Sequence, residues 1–223
     1  MMAISAISLA GCGEAVTHNS DARILALGDS MFAWNKLSNN AVPDVLESNL
    51  GEEVVDRSVI GARYLYGLSI SGAAGLNISK QYRSGDWDWV VINGGGNDLW
   101  FGCGCMACEQ TIERLISSDG QTGKIPALVS KIRHEDAKVV YVGYLHSPGA
   151  YSIIDHCKSY DIEFERRVAN LAARTDDFYY LGASDVVPEG DLSFHSIDRI
   201  HPSIKGSKAL AAMIADLIRA ISI

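Results

Sequence analysis

The chain is 223 residues long, 48% hydrophobic and 21% charged, with a formal net charge of −8. That length suits one domain with a core large enough to be stable alone, and the composition is ordinary for a soluble globular protein. An acidic balance without a basic run argues against a nucleic-acid or anionic-membrane partner, and no apolar segment reaches the roughly 20 residues that span a bilayer.

Met1 to Ala10 is apolar and rich in small residues, and runs into Leu9-Ala10-Gly11-Cys12. That tetrapeptide resembles a bacterial lipobox, which makes Cys12 a candidate lipidation site and membrane anchor. The stretch is short and no Lys or Arg precedes it, so either the start is truncated or this is an ordinary frayed terminus. Residues 1–21 are taken as a signal or lipobox remnant with a polar tether from Gly13 to Asp21, and 22–223 as the folded domain.

Beyond Arg23, short apolar runs alternate with helical periods. Ile24–Leu27 reads as a strand. Val42, Val45, Leu46 and Leu50 recur at helical spacing, with Gly51 as the stop. Glu53–Asp56 reads as a second strand, followed by helical stretches over Ala62–Ser71 and Leu76–Tyr82. Trp87–Ile92 is a third strand. Glu109–Ser117 and Ile125–Arg133 read as helices, with Pro126 tolerable near a helix start. Lys138–Gly143 is a fourth strand, Ile162–Arg174 a helix and Phe178–Leu181 a fifth strand. Ser203–Ile223 is a closing amphipathic helix with Ser203 as N-cap. Val/Ile/Leu-rich strands alternating with helices imply a parallel sheet covered on both faces.

Five cysteines are present: Cys12, Cys103, Cys105, Cys108 and Cys157. With Cys12 lipidated, the other four are compatible with two disulfides in an oxidising periplasm or cell envelope, the cytoplasm being the alternative location. A metal held by Cys103, Cys105 and Cys108 with Cys157 or His156 is a second reading, although a CxCxxC cluster departs from the paired CxxC of zinc sites. Free thiols are the third.

Chemistry concentrates in four places. Gly28-Asp29-Ser30 sets a serine just past the first strand, and Gly94-Gly95-Gly96-Asn97-Asp98 follows the third strand directly. In parallel sheets ligands bind at the carboxyl ends of strands, so Ser30 and Asn97 fall on one edge. Asp198-Arg199-Ile200-His201-Pro202 supplies an acid and an imidazole before the last helix, the partners a serine hydroxyl needs to become nucleophilic. Gly61, after the second strand, offers a backbone N–H. Taken singly, each fragment has a plain structural reading as a helix cap or a turn.

Together the four segments resemble the SGNH (GDSL-type) hydrolase family, in its order and spacing, across residues 22–223. The resemblance implies a three-layer α/β/α sandwich around a central five-stranded parallel sheet, flavodoxin-like in its winding. It implies Ser30 as nucleophile, His201 as base and Asp198 as acid, with an oxyanion hole from the N–H groups of Ser30 and Gly61 and the Asn97 amide. Met31 stands where the family commonly has Leu, and the Cys103–Cys108 insertion is not a family feature. The expected activity is a serine esterase hydrolysing a short-chain acyl, lipid or O-acetyl sugar ester, monomeric and without a cofactor. The competing readings are a non-catalytic carbohydrate- or lipid-binding module on the same fold, an acyltransferase with the same triad, and a metal or redox role for the cysteine cluster.

Gly102-Cys103-Gly104-Cys105-Met106-Ala107 fits G-x-G-x-x-A but begins well past its strand, and no G-x-S-x-G elbow is present. His195 is the further histidine nearest the site in sequence, whereas His134, His146 and His156 read as surface or packing residues. Trp34, Tyr64 and Trp100 flank the four segments as candidate walls of an acyl pocket.

Overall fold

A computed structural model describes residues 21–66, 72–147, 151–188 and 190–222. Cys12 with its lipobox, nearly all of the tether, and residues 67–71 of the helix expected over 62–71 lie outside the described residues. None of the described helices is long and apolar enough to cross a membrane.

Five strands form one parallel sheet: β1 (Ile24–Leu27), β2 (Val54–Asp56), β3 (Trp89–Ile92), β4 (Lys138–Val142) and β5 (Phe178–Leu181), in the order β2-β1-β3-β4-β5. Alternate side chains of a strand point to opposite faces, and here both faces are covered. Leu25, Leu27, Val90, Ile92 and Tyr141 join one buried cluster; Ile24, Ala26, Val91, Val140 and Val142 join the other. Burial on two sides explains why these strands read as unbroken apolar runs.

The first face packs against α3 (Ile78–Gln81), α4 (Glu109–Leu115), α5 (Lys124–Arg133) and α6 (Lys158–Ala172), through Ile78, Ile112, Leu128 and Phe164 among others. The second packs against α1 (Ser30–Ala33), α2 (Val42–Leu50) and α7 (Ile204–Ile221), through Phe32, Leu46, Leu210 and Ile214. Gly51 ends α2 at φ 70°, a left-handed residue that glycine adopts without steric cost. Ser203 caps α7, its side chain accepting from the Gly206 N–H at 3.2 Å.

The helix expected over 62–71 does not form in its described part. Asp98 takes the Tyr64 and Leu65 N–H groups at 3.0 and 2.8 Å, and Arg63 pairs with the segment around Asn77 as an isolated bridge. Backbone donors consumed by a distant carboxylate cannot also serve a helical ladder. In contrast, α6 begins at Lys158, four residues before the expected Ile162, because its first turn, Lys158-Ser159-Tyr160-Asp161, offers only Tyr160 to the core.

The cysteines are paired as Cys103–Cys108 and Cys105–Cys157, with Cα–Cα separations of 5.4 and 4.8 Å. All four sulfurs are covalently engaged in this structure, the first of the three readings of the cluster. The longer link ties the loop after β3 to the start of α6.

Gly95 has φ 104°, and a Cβ there would lie 2.5 Å from Phe164 Cζ. Gly95→Ala is expected to destabilise the protein by about 2 kcal/mol or more through backbone strain and overpacking. Urea denaturation checks this; an unchanged midpoint would contradict the close packing of this loop on α6.

Candidate active site

The sheet order reverses direction between β1 and β3, so the loops leaving these two neighbours part and open a crevice at their carboxyl ends. The loop after β1 is held rigidly. Gly28 donates to Gln81 Oε1 at 2.7 Å, and Gln81 Nε2 returns a bond to the Gly28 carbonyl at 2.9 Å. A Cβ at Gly28 would meet the Asn93 carbonyl oxygen at 3.0 Å, so this close approach favours glycine. Asp29 then caps α1, its Oδ1 accepting from Met31 N–H at 2.9 Å. Ser30 is the first residue of that helix, and its N–H is one of the donors that helix geometry leaves without an internal acceptor.

The spacing Asp-x-x-His has a local cause. Asp198 Oδ1 accepts from the backbone N–H groups of Ile200 and His201 at 3.0 and 3.1 Å, with Arg199, directly after the aspartate, at φ 58°. This tight turn carries the His201 ring back onto the same carboxylate, Nδ1 to Oδ2 at 2.6 Å. His201 Nε2 then lies 2.8 Å from Ser30 Oγ. Burial opposes ionisation of Asp198, but the bonds from the His201 ring and the two backbone donors outweigh it and hold the carboxyl below its ordinary range.

Trp34 stacks on the far side of His201, with ring centroids 3.7 Å apart and an interplanar angle of 6°. Its indole N–H donates to Ser196 Oγ at 2.9 Å, and Ser196 in turn donates to the Pro202 carbonyl at 3.0 Å. Trp34 therefore backs the imidazole rather than walling a pocket.

Asn97 is buried, with its Nδ2 3.1 Å from the Ala62 carbonyl and 3.4 Å from Asp29 Oδ2. The Ala62 bond joins the loop after β2 to the loop after β3. Gly61, at φ 79°, precedes Ala62, and its N–H makes no hydrogen bond among the described residues.

A pocket of about 110 Å³ opens beside Ser30, Asn97 and His201. Leu99, Trp100, Leu145, Ile154 and Ile200 give it apolar walls, and His146, Asp161 and Lys158 give it a polar side. Gly61 and Asp198 do not line it. Trp100 is a wall as expected, whereas Tyr64 is buried in the core. His195 is buried and lies outside the pocket lining; burial pushes its pKa down and favours the neutral ring.

His146, read from sequence as a surface or packing residue, belongs to the pocket. Its Nε2 lies 3.8 Å from Asp161 Oδ2 and 3.7 Å from Glu165 Oε2. These donor atoms fall within 4.8 Å of one another, so this is a cluster of described residues with metal-ligand chemistry. Glu165 already accepts the Tyr144 N–H at 2.6 Å. Burial, then repulsion from Glu165, pushes the Asp161 carboxyl up to about 7, with His146 acting the other way.

Sequence reasoning also missed Tyr144 and Gln81. Tyr144 OH donates to Asp29 Oδ2 at 2.6 Å and accepts from Gly96 N–H at 2.8 Å. Neither residue belongs to any of the four segments.

The GDSL-like lipase/acylhydrolase family model matches residues 26–209. No curated protein sequence is significantly similar to this one. Among solved structures, the chain resembles TesA with 22% identity and a TM-score of 0.59, over 88% of this chain and 98% of that one. A GDSL-like lipase from Bacteroides thetaiotaomicron superposes with a TM-score of 0.60 and 18% identity, over 92% of this chain and 93% of that one. The lipase Lip_vut3 from a goat rumen metagenome gives 0.55 and 19%, over 87% and 96%. These likenesses establish the shared fold, the three-layer architecture around a parallel sheet.

The raised Asp161 pKa has a signed consequence for stability. A carboxyl near 7 in the folded state and 3.8 unfolded favours the fold while protonated, and that contribution is lost as pH rises through about 7. Asp161→Asn cannot ionise, so its melting temperature should gain on the parent as pH rises from about 4 to about 8. Thermal melts of both proteins across that range check the sign; a constant gap would contradict it.

Proposed function

This chain belongs to the GDSL-like lipase/acylhydrolase family, and from that premise we propose that it is a serine esterase working through an acyl-enzyme on Ser30. The observation that carries the reading is the hydrogen-bonded chain from Asp198 through His201 to Ser30, with links of 2.6 and 2.8 Å. Ser30 Oγ attacks the ester carbonyl while His201 Nε2 accepts its proton. Asp198 holds the imidazole in the required tautomer and stabilises the cation that forms. The negative charge on the former carbonyl oxygen is met by the N–H groups of Ser30 and Gly61 and by Asn97 Nδ2. Collapse of the tetrahedral adduct breaks the ester C–O bond, and the alcohol leaves with the proton from His201. Water then attacks the acyl-enzyme, again with His201 as base, releasing the acid and restoring Ser30.

The pocket points to a class of acyl group. A cavity of roughly 150 Å³ is enough for benzene, so 110 Å³ suits an acyl chain of about four carbons. Its apolar walls favour an unsubstituted short acyl group over a long lipid tail. The two disulfides support an oxidising, extracytoplasmic setting, the bacterial periplasm or cell envelope.

Ser30→Ala should reduce turnover of p-nitrophenyl acetate by at least about a thousandfold, and Asn97→Ala should lower kcat roughly a hundredfold. Retained turnover in Ser30→Ala would end the reading. Across p-nitrophenyl esters, kcat/KM for acetate and butyrate should exceed that for decanoate by about tenfold or more; a preference for decanoate would overturn the short-acyl assignment.

A further inference from the structure

Asn97 has two amide hydrogens, and the surrounding groups already claim both. One goes to the Ala62 carbonyl at 3.1 Å. The other faces Asp29 Oδ2 at 3.4 Å, near the outer limit of a hydrogen bond. If Asn97 is to hold an oxyanion, the second hydrogen is the one available. A buried carboxylate is a strong competitor for it, because a charge-assisted bond is shorter and roughly twice as strong as a neutral one.

Asp29 is 1% exposed, and the groups that satisfy it decide how hard it pulls on Asn97. Met31 N–H occupies Oδ1. Tyr144 OH occupies Oδ2 at 2.6 Å, a far tighter contact than that of the amide to the same oxygen. The phenol is itself fixed, since its oxygen accepts from Gly96 N–H at 2.8 Å and a Cβ on Gly96 would lie 2.8 Å from Tyr144 Cζ. Tyr144 N–H is anchored on Glu165. The phenol thus stands over the carboxylate from a strand end that contributes none of the three residues in the Ser30–His201–Asp198 chain.

We propose that Tyr144 is a positioning residue for the reaction: by satisfying Asp29 Oδ2, it keeps that carboxylate from capturing the Asn97 amide and leaves one Asn97 N–H for the oxyanion. The assignment rests on the serine-esterase reading and deepens it. Without the phenol oxygen, Asn97 is the remaining donor to Oδ2. The carboxylate draws it in, and the amide is withdrawn from the developing charge. Tyr144 also lines the pocket, so KM is read alongside kcat; a loss confined to the oxyanion falls on kcat, because the oxyanion exists only after attack.

The test is a double-mutant cycle on p-nitrophenyl acetate with the full chain. Tyr144→Phe is expected to lower kcat roughly tenfold with KM changed less than about twofold, and to change kcat less than about twofold when Asn97 is already alanine. A general loss of structure would act equally in both backgrounds. An equal loss with and without Asn97, an unchanged kcat, or a rise in KM alone overturns the proposal. If Tyr144→Phe does not fold, 3-fluorotyrosine at position 144 keeps the packing and alters the donor. It must then change kcat with Asn97 present and leave it unchanged with Asn97→Ala; any other pattern overturns the assignment. Ser30→Ala separates the two levels. Turnover retained there removes the esterase reading and the proposal with it, whereas an inactive Ser30→Ala with additive Tyr144→Phe and Asn97→Ala removes the proposal alone.

Discussion

β1 is hydrogen-bonded along both edges, to β2 and to β3, and everything chemical in this protein depends on where that strand stops. A strand paired on two sides and covered on two faces has no freedom to slide, since a shift by one residue would exchange the two buried side-chain sets. The residue after its end is therefore delivered to a fixed place. Gln81 clamps Gly28, Asp29 turns the chain into α1, and Ser30 stands at the crevice with its hydroxyl presented to His201. Because β3 ends beside β1 and its loop leaves the other way, Asn97 arrives from the opposite wall.

The carboxylates at this edge are densely bonded. Asp29 sits between a phenol, a backbone N–H and an amide, and Asp98 takes two backbone donors from the loop that carries Tyr64. Burial raises both carboxyls, Asp98 to about 6, because the charged form loses more solvation than these bonds return. Such groups are a cost to the fold. They persist here because they tie together three loops that share no secondary structure: the segments after β1, after β2 and after β3.

How much of this was legible in the sequence depends on the range of each interaction. The strands were readable because burial on both faces leaves a run of apolar residues that needs no partner to identify it. Asp198-x-x-His201 is readable because the turn that returns the ring to the carboxylate is closed by Asp198 itself. Ser30 and Asn97 could be placed on one edge because both follow strands in a parallel sheet. The helix expected over 62–71 does not form in its described part because the Tyr64 and Leu65 N–H groups answer to Asp98, at separations of 34 and 33 residues. Tyr144 meets Asp29 across a separation of 115 residues, and Trp34 reaches the segment around His201 across 162. No periodicity or motif records such meetings. His146 reads as a surface or packing residue for the same reason, since its place in the pocket beside Asp161 and Glu165 follows from how α6 meets the segment after β4.

The two disulfides are interlaced in an ordered way. Cys103 and Cys108 are five residues apart and enclose Cys105, whose partner Cys157 lies 52 residues further on. Closing a short loop costs less chain entropy than closing a long one, so the Cys103–Cys108 link constrains the unfolded chain less than the Cys105–Cys157 link does. Once Cys103 and Cys108 have joined, Cys105 has only Cys157 left among the four. In the folded protein Cys157 lies at the start of α6, so this bond joins the loop after β3 to that helix across β4. The second bond thus fastens one wall of the pocket, Ile154 to Asp161, to the loop that carries Leu99 and Trp100 on the other.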